Sequence, residues 1–266
     1  MLVWTKRGRR TVTALLILVL LVLLVAPLLV VVVAAFAATW NGVVPSALTL
    51  RHLHDAITAD NLASLSTSIQ TALLAGCGAV IVGTWAAMGT HRLPRRLRAV
   101  VDAVFHLPVA VPSVVLGLGL LVAFSQRPLL LNGTRWIVIL AQTMLVLSFA
   151  YSTVSAALAR FDNQVTNLAA SLGARPARVL LTVRLPMLLP AIMAATALAV
   201  ALCMGELGAT IMVYPPSWRT LPVTIFGLSD RGNVYLASAD TLMLLIATSI
   251  LLVVIGRIRV GRRARA

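Results

Sequence analysis

Asn167-Leu168-Ala169-Ala170-Ser171-Leu172-Gly173-Ala174-Arg175-Pro176, running on to Val183-Arg184-Leu185-Pro186, is a polar, arginine-bearing island in an otherwise oily chain. Apolar Leu168, Leu172, Val179 and Leu180 stand beside polar Asn167, Ser171, Arg175 and Arg178. Residues 163–184 therefore read as a short amphipathic helix, a break at Gly173 and a second short helical piece. Glycine opens backbone angles closed to other residues, and Pro176 suits the first turn of a following helix. Leu185-Pro186 then opens the next apolar run, with Pro190 still close enough to its start to be tolerated.

The rest of the chain explains why such an island needs a reason. Of 266 residues 60% are hydrophobic and 11% charged, where soluble domains carry about a quarter charged. Mean hydropathy is +1.00. A chain of this kind cannot cover itself with polar surface and belongs in a bilayer. Six stretches are long and apolar enough to cross it as helices: about 11–38, 62–89, 101–124, 135–159, 185–213 and 239–255. They lack the period-two alternation of a membrane β-barrel. The expectation is an all-α polytopic membrane protein with six transmembrane helices, forming one domain over 1–266.

A net charge of +15 would point to nucleic acid in a soluble protein. Here the basic residues crowd into alternate short loops, the pattern of membrane orientation, and no nucleic-acid partner is expected. Lys6, Arg7, Arg9 and Arg10, then Arg92, Arg95, Arg96 and Arg98, then Arg160, Arg175, Arg178 and Arg184 fall on one side. Arg257, Arg259, Arg262, Arg263 and Arg265 join them, leaving only Arg51, Arg127, Arg135, Arg219 and Arg231 opposite. Both termini and the 163–184 island are thus expected in the cytoplasm. The first apolar run is about twice the length of a cleavable signal core and is expected to stay. Cys77 and Cys203 lie inside apolar runs and read as small core residues, with no metal site or disulfide framework.

Two readings of the island stand side by side. It could lie on anionic lipid, its arginines pairing with headgroups, or it could dock another protein. The second gains from spacing: Gly173, nine residues, Val183, one residue, then Leu185-Pro186 resembles the EAA loop of binding-protein-dependent ABC importer permeases of type I. Asn167-Leu168-Ala169 stands where that family has Glu-Ala-Ala. The resemblance makes 163–184 a cytoplasmic coupling segment and implies that Asn167, Ala169, Gly173, Ala174, Arg175, Pro176, Leu185 and Pro186 dock a separate ATP-binding subunit. His106-Leu107-Pro108-Val109-Ala110-Val111-Pro112-Ser113, continuing to Gly117-Leu118-Gly119, is similar to the family's Pro- and Gly-rich third span. Small residues such as Gly76, Gly78, Gly117 and Gly119 also let helices approach closely in lipid.

Glu206 lies in the fifth apolar run between Gly205 and Gly208. A bare charge at bilayer depth costs several kcal/mol. It therefore either lines a translocation path or gate, or is a hydrogen-bonded packing residue at a subunit interface. Gln70 and Gln142 are further candidates for the path, or for bonds between helices. Gly205-Glu206-Leu207-Gly208-Ala209-Thr210 looks like a motif of permeases for molybdate, sulfate and related oxyanions, and the stretch from Val213 to Val223 resembles the loop of 2-aminoethylphosphonate permeases. Iron(III) permeases carry a related pattern. Tyr214, Trp218 and Arg219 are expected outside, either touching an external solute-binding protein or forming an aromatic belt.

The resemblance implies an inner-membrane permease subunit with half of a translocation path, completed by a second permease copy or homologue. Its cargo would be a small solute, with 2-aminoethylphosphonate or another oxyanion expected ahead of iron(III), polyamine or thiamine. No phosphate-binding Gly-rich loop with Lys occurs in the chain, so no catalytic residues and no cofactor are expected, and ATP would be hydrolysed elsewhere. The rival is a secondary transporter or channel built on Glu206, the one membrane carboxylate that stands out in the sequence.

Overall fold

The computed structural model describes residues 6–40, 42, 44–91, 93–160 and 163–263. In hydrocarbon every backbone N–H and C=O must find a partner inside the chain, which leaves helices as the economical solution for apolar runs. Long helices accordingly dominate: α1 (Lys6–Phe36), α3 (Ala59–Thr90), α6 (Arg135–Ala159), α9 (Leu185–Met204) and α12 (Val234–Arg263). Between them lie α2 (Arg51–Ala56), α4 (Arg95–Ala110), α5 (Ser113–Ala123), α7 (Asn163–Ser171), α8 (Pro176–Val179), α10 (Gly208–Val213) and α11 (Leu221–Asp230). A two-stranded antiparallel ribbon, β1 (Ala37–Thr39) with β2 (Ala47–Leu48), follows α1. Among the described residues five helices are long and apolar enough to cross a membrane, or six if the bent pair α4–α5 counts as one span.

Two spans differ most from the sequence expectation. Residues 101–124 were expected as one helix, but α4 and α5 meet at a bend of 100°. The cause is local: the ring of Pro112 disfavours helical angles at the residue before it, and Val111 is extended (φ −100°, ψ 134°). The fifth span was expected over 185–213. Its helix instead runs continuously from Pro176 to Met204, and α10 is a separate short helix. Leu185-Pro186 therefore lies inside the helix. A wide π turn over Leu180–Arg184 precedes it, just ahead of Pro186, whose ring crowds the carbonyl four residues back. The 29 residues from Pro176 to Met204 span about 43 Å at 1.5 Å per residue, beyond the roughly 30 Å of hydrocarbon.

The chain folds as two compact units, Met1–Leu62 with Thr224–Leu245 and Ala63–Val223 with Ile246–Ala266. The second holds the better packed interior. Small residues set its helix spacing: Ala72, Ala75 and Ala79 of α3, Ala150 of α6 and Ala195 and Ala199 of α9 are all buried. A Cβ placed on Gly83 would lie 2.9 Å from the Tyr151 backbone nitrogen, and one on Gly76 would lie 3.0 Å from Val200. In lipid, where burial gives helices no hydrophobic advantage over the acyl chains, such close packing is what holds them together. A second cluster joins Leu120 of α5, Ile137, Val138 and Ala141 of α6, and Ala209 and Val213 of α10. In the first unit Ala35, Ala56 and Ala239 form a smaller core. The apolar stretch of α1 is exposed along its length, a surface for lipid or for another chain.

Candidate functional site

The 163–184 segment is built as two short helical pieces around a glycine hinge. α7 ends at Ser171, and Gly173 follows with φ +79°, a left-handed conformation that residues with a Cβ adopt at a cost. The Ala174 N–H reaches back to the Ala169 carbonyl at 3.2 Å, closing the helix end by the six-residue loop that a left-handed glycine permits. Arg175 is then extended and Pro176 opens α8. Gly173, Arg175, Pro176 and Pro186 are exposed, while Ala169, Ala174 and Leu185 are half-buried. Asn167 lies in α7, but its side chain is outside the described residues, as are Arg92 and Arg265. α7 packs back on α8 and the π turn, yet Val165, Leu168 and Leu172 are exposed, Leu172 to 88%. Their spacing puts them along one helix edge. The segment thus presents an uncovered apolar ridge beside arginines.

Glu206 sits between the end of α9 and the start of α10, and its carboxylate is fully engaged. Oε1 accepts the Ala209 N–H at 2.8 Å, and Oε2 accepts the Thr210 N–H at 3.0 Å and the Thr210 hydroxyl at 2.5 Å. The Thr210 oxygen in turn accepts from Gln142 Nε2 at 3.0 Å. A relay from buried Gln142 and Thr210 to half-buried Glu206 therefore stitches α6 to α10, with the carboxylate capping the otherwise orphaned N–H groups of α10. Gln70 is not part of it; it is exposed and donates to Ser66 on its own helix at 3.0 Å. Glu206 also borders a cleft of about 360 Å³ at the α4–α5 bend, lined with Pro108, Val111, Ser113, Leu145 and Phe149 among others. Of its two flanking glycines, Gly208 is sterically constrained, since a Cβ there would collide with Ser113 Oγ and lie 3.3 Å from Val114, whereas one on Gly205 would meet open space.

A consequence follows for Glu206. Glu206→Leu leaves two N–H groups and a hydroxyl without their acceptor, at about 1–3 kcal/mol for each orphaned group. We expect this variant to lower the unfolding temperature of the purified protein sharply, with Glu206→Gln in between because it keeps one acceptor oxygen. A Leu variant as stable as wild type would show that the cap contributes nothing.

The loop after α10 is anchored rather than free. Trp218 is half-buried, and its Nε1 donates to Thr71 Oγ1 of α3 at 2.9 Å. The Leu221 N–H donates to Ser68 Oγ at 2.8 Å. Tyr214 packs with Trp218 against the α5–α6–α10 cluster. The Arg135 guanidinium lies 5.5 Å from the centre of the Trp218 ring and 5.0 Å from that of Trp136. Of the three expected contact residues, Arg219 is the exposed one.

The sequence reading missed a second carboxylate. Asp240 lies at the start of the run expected over 239–255, but α12 begins earlier, at Val234. Asp240 is completely buried; its Oδ1 accepts from Asn61 Nδ2 at 3.0 Å, and its Oδ2 has no hydrogen-bond partner. Glu206 is therefore not alone among carboxylates within the apolar helices. Asp102 of α4 was also passed over; Tyr151 of α6 donates to it, and Arg98 lies 3.8 Å away.

Comparison with known proteins fits this arrangement. The chain is 42% identical to PhnV of Salmonella typhimurium, a permease named for 2-aminoethylphosphonate transport, over 99% of this chain and all of that protein. It is 31% identical to the molybdenum transport permease ModB of Escherichia coli, over 62% of this chain and 81% of ModB. In fold it resembles a chain of a bacterial ABC transporter that imports alginate (TM-score 0.76, 17% identity, 97% of this chain and 96% of that one). It also resembles a chain of the MetNI methionine ABC transporter (TM-score 0.61, 15% identity, 76% and 97% covered). Residues 79–262 match the model of the binding-protein-dependent transport system inner membrane component. The chain belongs to that family: it is a multi-pass inner-membrane permease subunit of an ABC importer.

Proposed function

We propose that this permease forms half of the path for 2-aminoethylphosphonate, delivered by an external binding protein and driven by a separate ATPase subunit. Full-length identity to PhnV carries the choice of cargo. The basic asymmetry of the loops supports placing both termini and residues 163–184 in the cytoplasm. There the exposed edge of Val165, Leu168 and Leu172, flanked by Arg175, is the surface offered to the ATPase. Asn167, Ala169, Gly173, Ala174, Pro176, Leu185 and Pro186 shape it. A second permease subunit completes the pathway. ATP-driven closure of the ATPase pair would carry the docked α7–α8 element with it, and the continuous helix from Pro176 would transmit that displacement as a rigid lever toward Glu206. The cleft beside the α4–α5 bend, with Glu206 at its edge, is the proposed path-facing surface. Gln142 supports it from behind through Thr210. Arg219, raised on the loop that Trp218 and Tyr214 fix, is the proposed contact for the binding protein.

The test is uptake by the assembled importer in proteoliposomes containing ATP. We expect accumulation of radiolabelled 2-aminoethylphosphonate, lost when ATP or the binding protein is omitted. Molybdate is the second reading, favoured by the likeness to ModB. Uptake of molybdate without 2-aminoethylphosphonate would replace the proposed cargo with it.

A further inference from the structure

His106, exposed on α4, has a ring held between groups whose protons can be counted. Nδ1 lies 2.6 Å from the Asp102 backbone carbonyl. A carbonyl only accepts, so Nδ1 carries a proton and donates it. Nε2 lies 2.8 Å from Ser152 Oγ of α6, and that hydroxyl lies 2.7 Å from the Ser148 carbonyl. Ser152 has one proton and two groups asking for it. With a neutral ring, Nε2 is a lone pair that takes the Ser152 proton, and the Ser148 carbonyl loses that bond. With a proton added at Nε2, the ring donates at both nitrogens. Ser152 then accepts from His106 and turns its own proton to Ser148, so that all three contacts are satisfied together.

We propose that His106 is a proton-operated latch between α4 and α6, closed when the ring is an imidazolium. Histidine is the side chain suited to this, because its charge ordinarily changes between pH 5 and 8. The neighbouring groups are already committed. Tyr151 of α6 donates to the Asp102 carboxylate and meets the His106 ring edge-on at 6.1 Å, and Arg98 lies 3.8 Å from the other Asp102 oxygen. Ser148 Oγ donates to the Phe105 carbonyl at 2.5 Å, a second tie between the same two helices. The latch matters because of what it joins. α4 leads into the bend that forms the cleft, and α6 ends four residues before α7 begins. The inference is independent of the cargo.

Uptake by the assembled importer in proteoliposomes, followed from about pH 5 to about pH 8, tests it. The wild-type-to-Ser152→Ala uptake ratio should change with pH across that range, whereas a purely structural role would lower uptake by a constant factor. Ser152→Thr, which keeps the hydroxyl, should follow the wild-type profile and guards against a general packing effect. With His106→Gln in the background, Ser152→Ala should change uptake by a factor that does not vary with pH. A wild-type-to-Ser152→Ala ratio that stays constant across the range, or that changes equally for Ser152→Thr, would overturn the latch.

Discussion

Gly117→Val should leave almost no folded permease. A Cβ at this position of α5 would lie 2.7 Å from the Ala209 carbonyl oxygen and 2.8 Å from the Ala209 Cα. These are backbone atoms of α10, which cannot swing aside as a side-chain tip can. Even Gly117→Ala should cost about 1–3 kcal/mol, the usual penalty for overpacking a tight contact, and valine more. The contact also positions Glu206, because α10 is the helix that its carboxylate caps. Gly119→Ala, two residues along the same helix, has open space at its Cβ and serves as the control. The measurement is the monodisperse yield and unfolding temperature of the detergent-solubilised variants. Gly117→Val behaving like Gly119→Ala would mean that α5 and α10 do not approach as closely as described.

Gly173→Val should abolish ATP-driven uptake while leaving the unfolding temperature near wild type. The reason is not steric, because nothing lies within 4 Å of a Cβ built on Gly173. The constraint is conformational: at φ +79° a β-branched residue carries about 1–3 kcal/mol of strain. None of the described side chains of α7 is buried to resist it, so the strain is relieved by opening the loop that the Ala174 N–H closes on Ala169. The apolar ridge of α7 is then misaligned, and the core around α3, α6 and α9 is untouched. Gly173→Asn should keep most uptake, since asparagine tolerates the left-handed region and serves at helix ends. Wild-type uptake by the valine variant would favour a segment that merely lies on lipid.

These cases show what the sequence carries and what it hides. Length and apolarity place α1, α3 and α6 closely, since a continuous run of about 20 apolar residues has few alternatives in a bilayer. The bend at Val111–Pro112 was written in the prolines, but hydropathy does not fall there, so composition alone reads through it. The same holds between Met204 and Gly208, where Gly205 ends one helix and Glu206 caps the next without interrupting the apolar run. The glycine hinge and proline start of 173–176 were legible because backbone requirements narrow the choice of residue. Pairings far apart in sequence were not. Trp218 with Thr71, Asn61 with Asp240 and Gln142 with Thr210 each join residues separated by at least 68 positions. No local pattern encodes them. Asp240 was overlooked for a related reason: at the edge of an apparent run a carboxylate looks solvated, and only the true start of α12 buries it.

The exposed edge of α7 is proposed to meet an ATPase subunit. Site-specific cross-linking from Leu172 tests it most directly, using Leu172→Cys with Cys77→Ala to remove the other exposed thiol. In the assembled importer a short bifunctional reagent should join residue 172 to the ATPase subunit, with a yield that changes between nucleotide-free and ATP-bound states. If position 172 instead forms no ATPase adduct in any nucleotide state, while the complex remains assembled and active, the coupling role assigned to residues 163–184 is wrong.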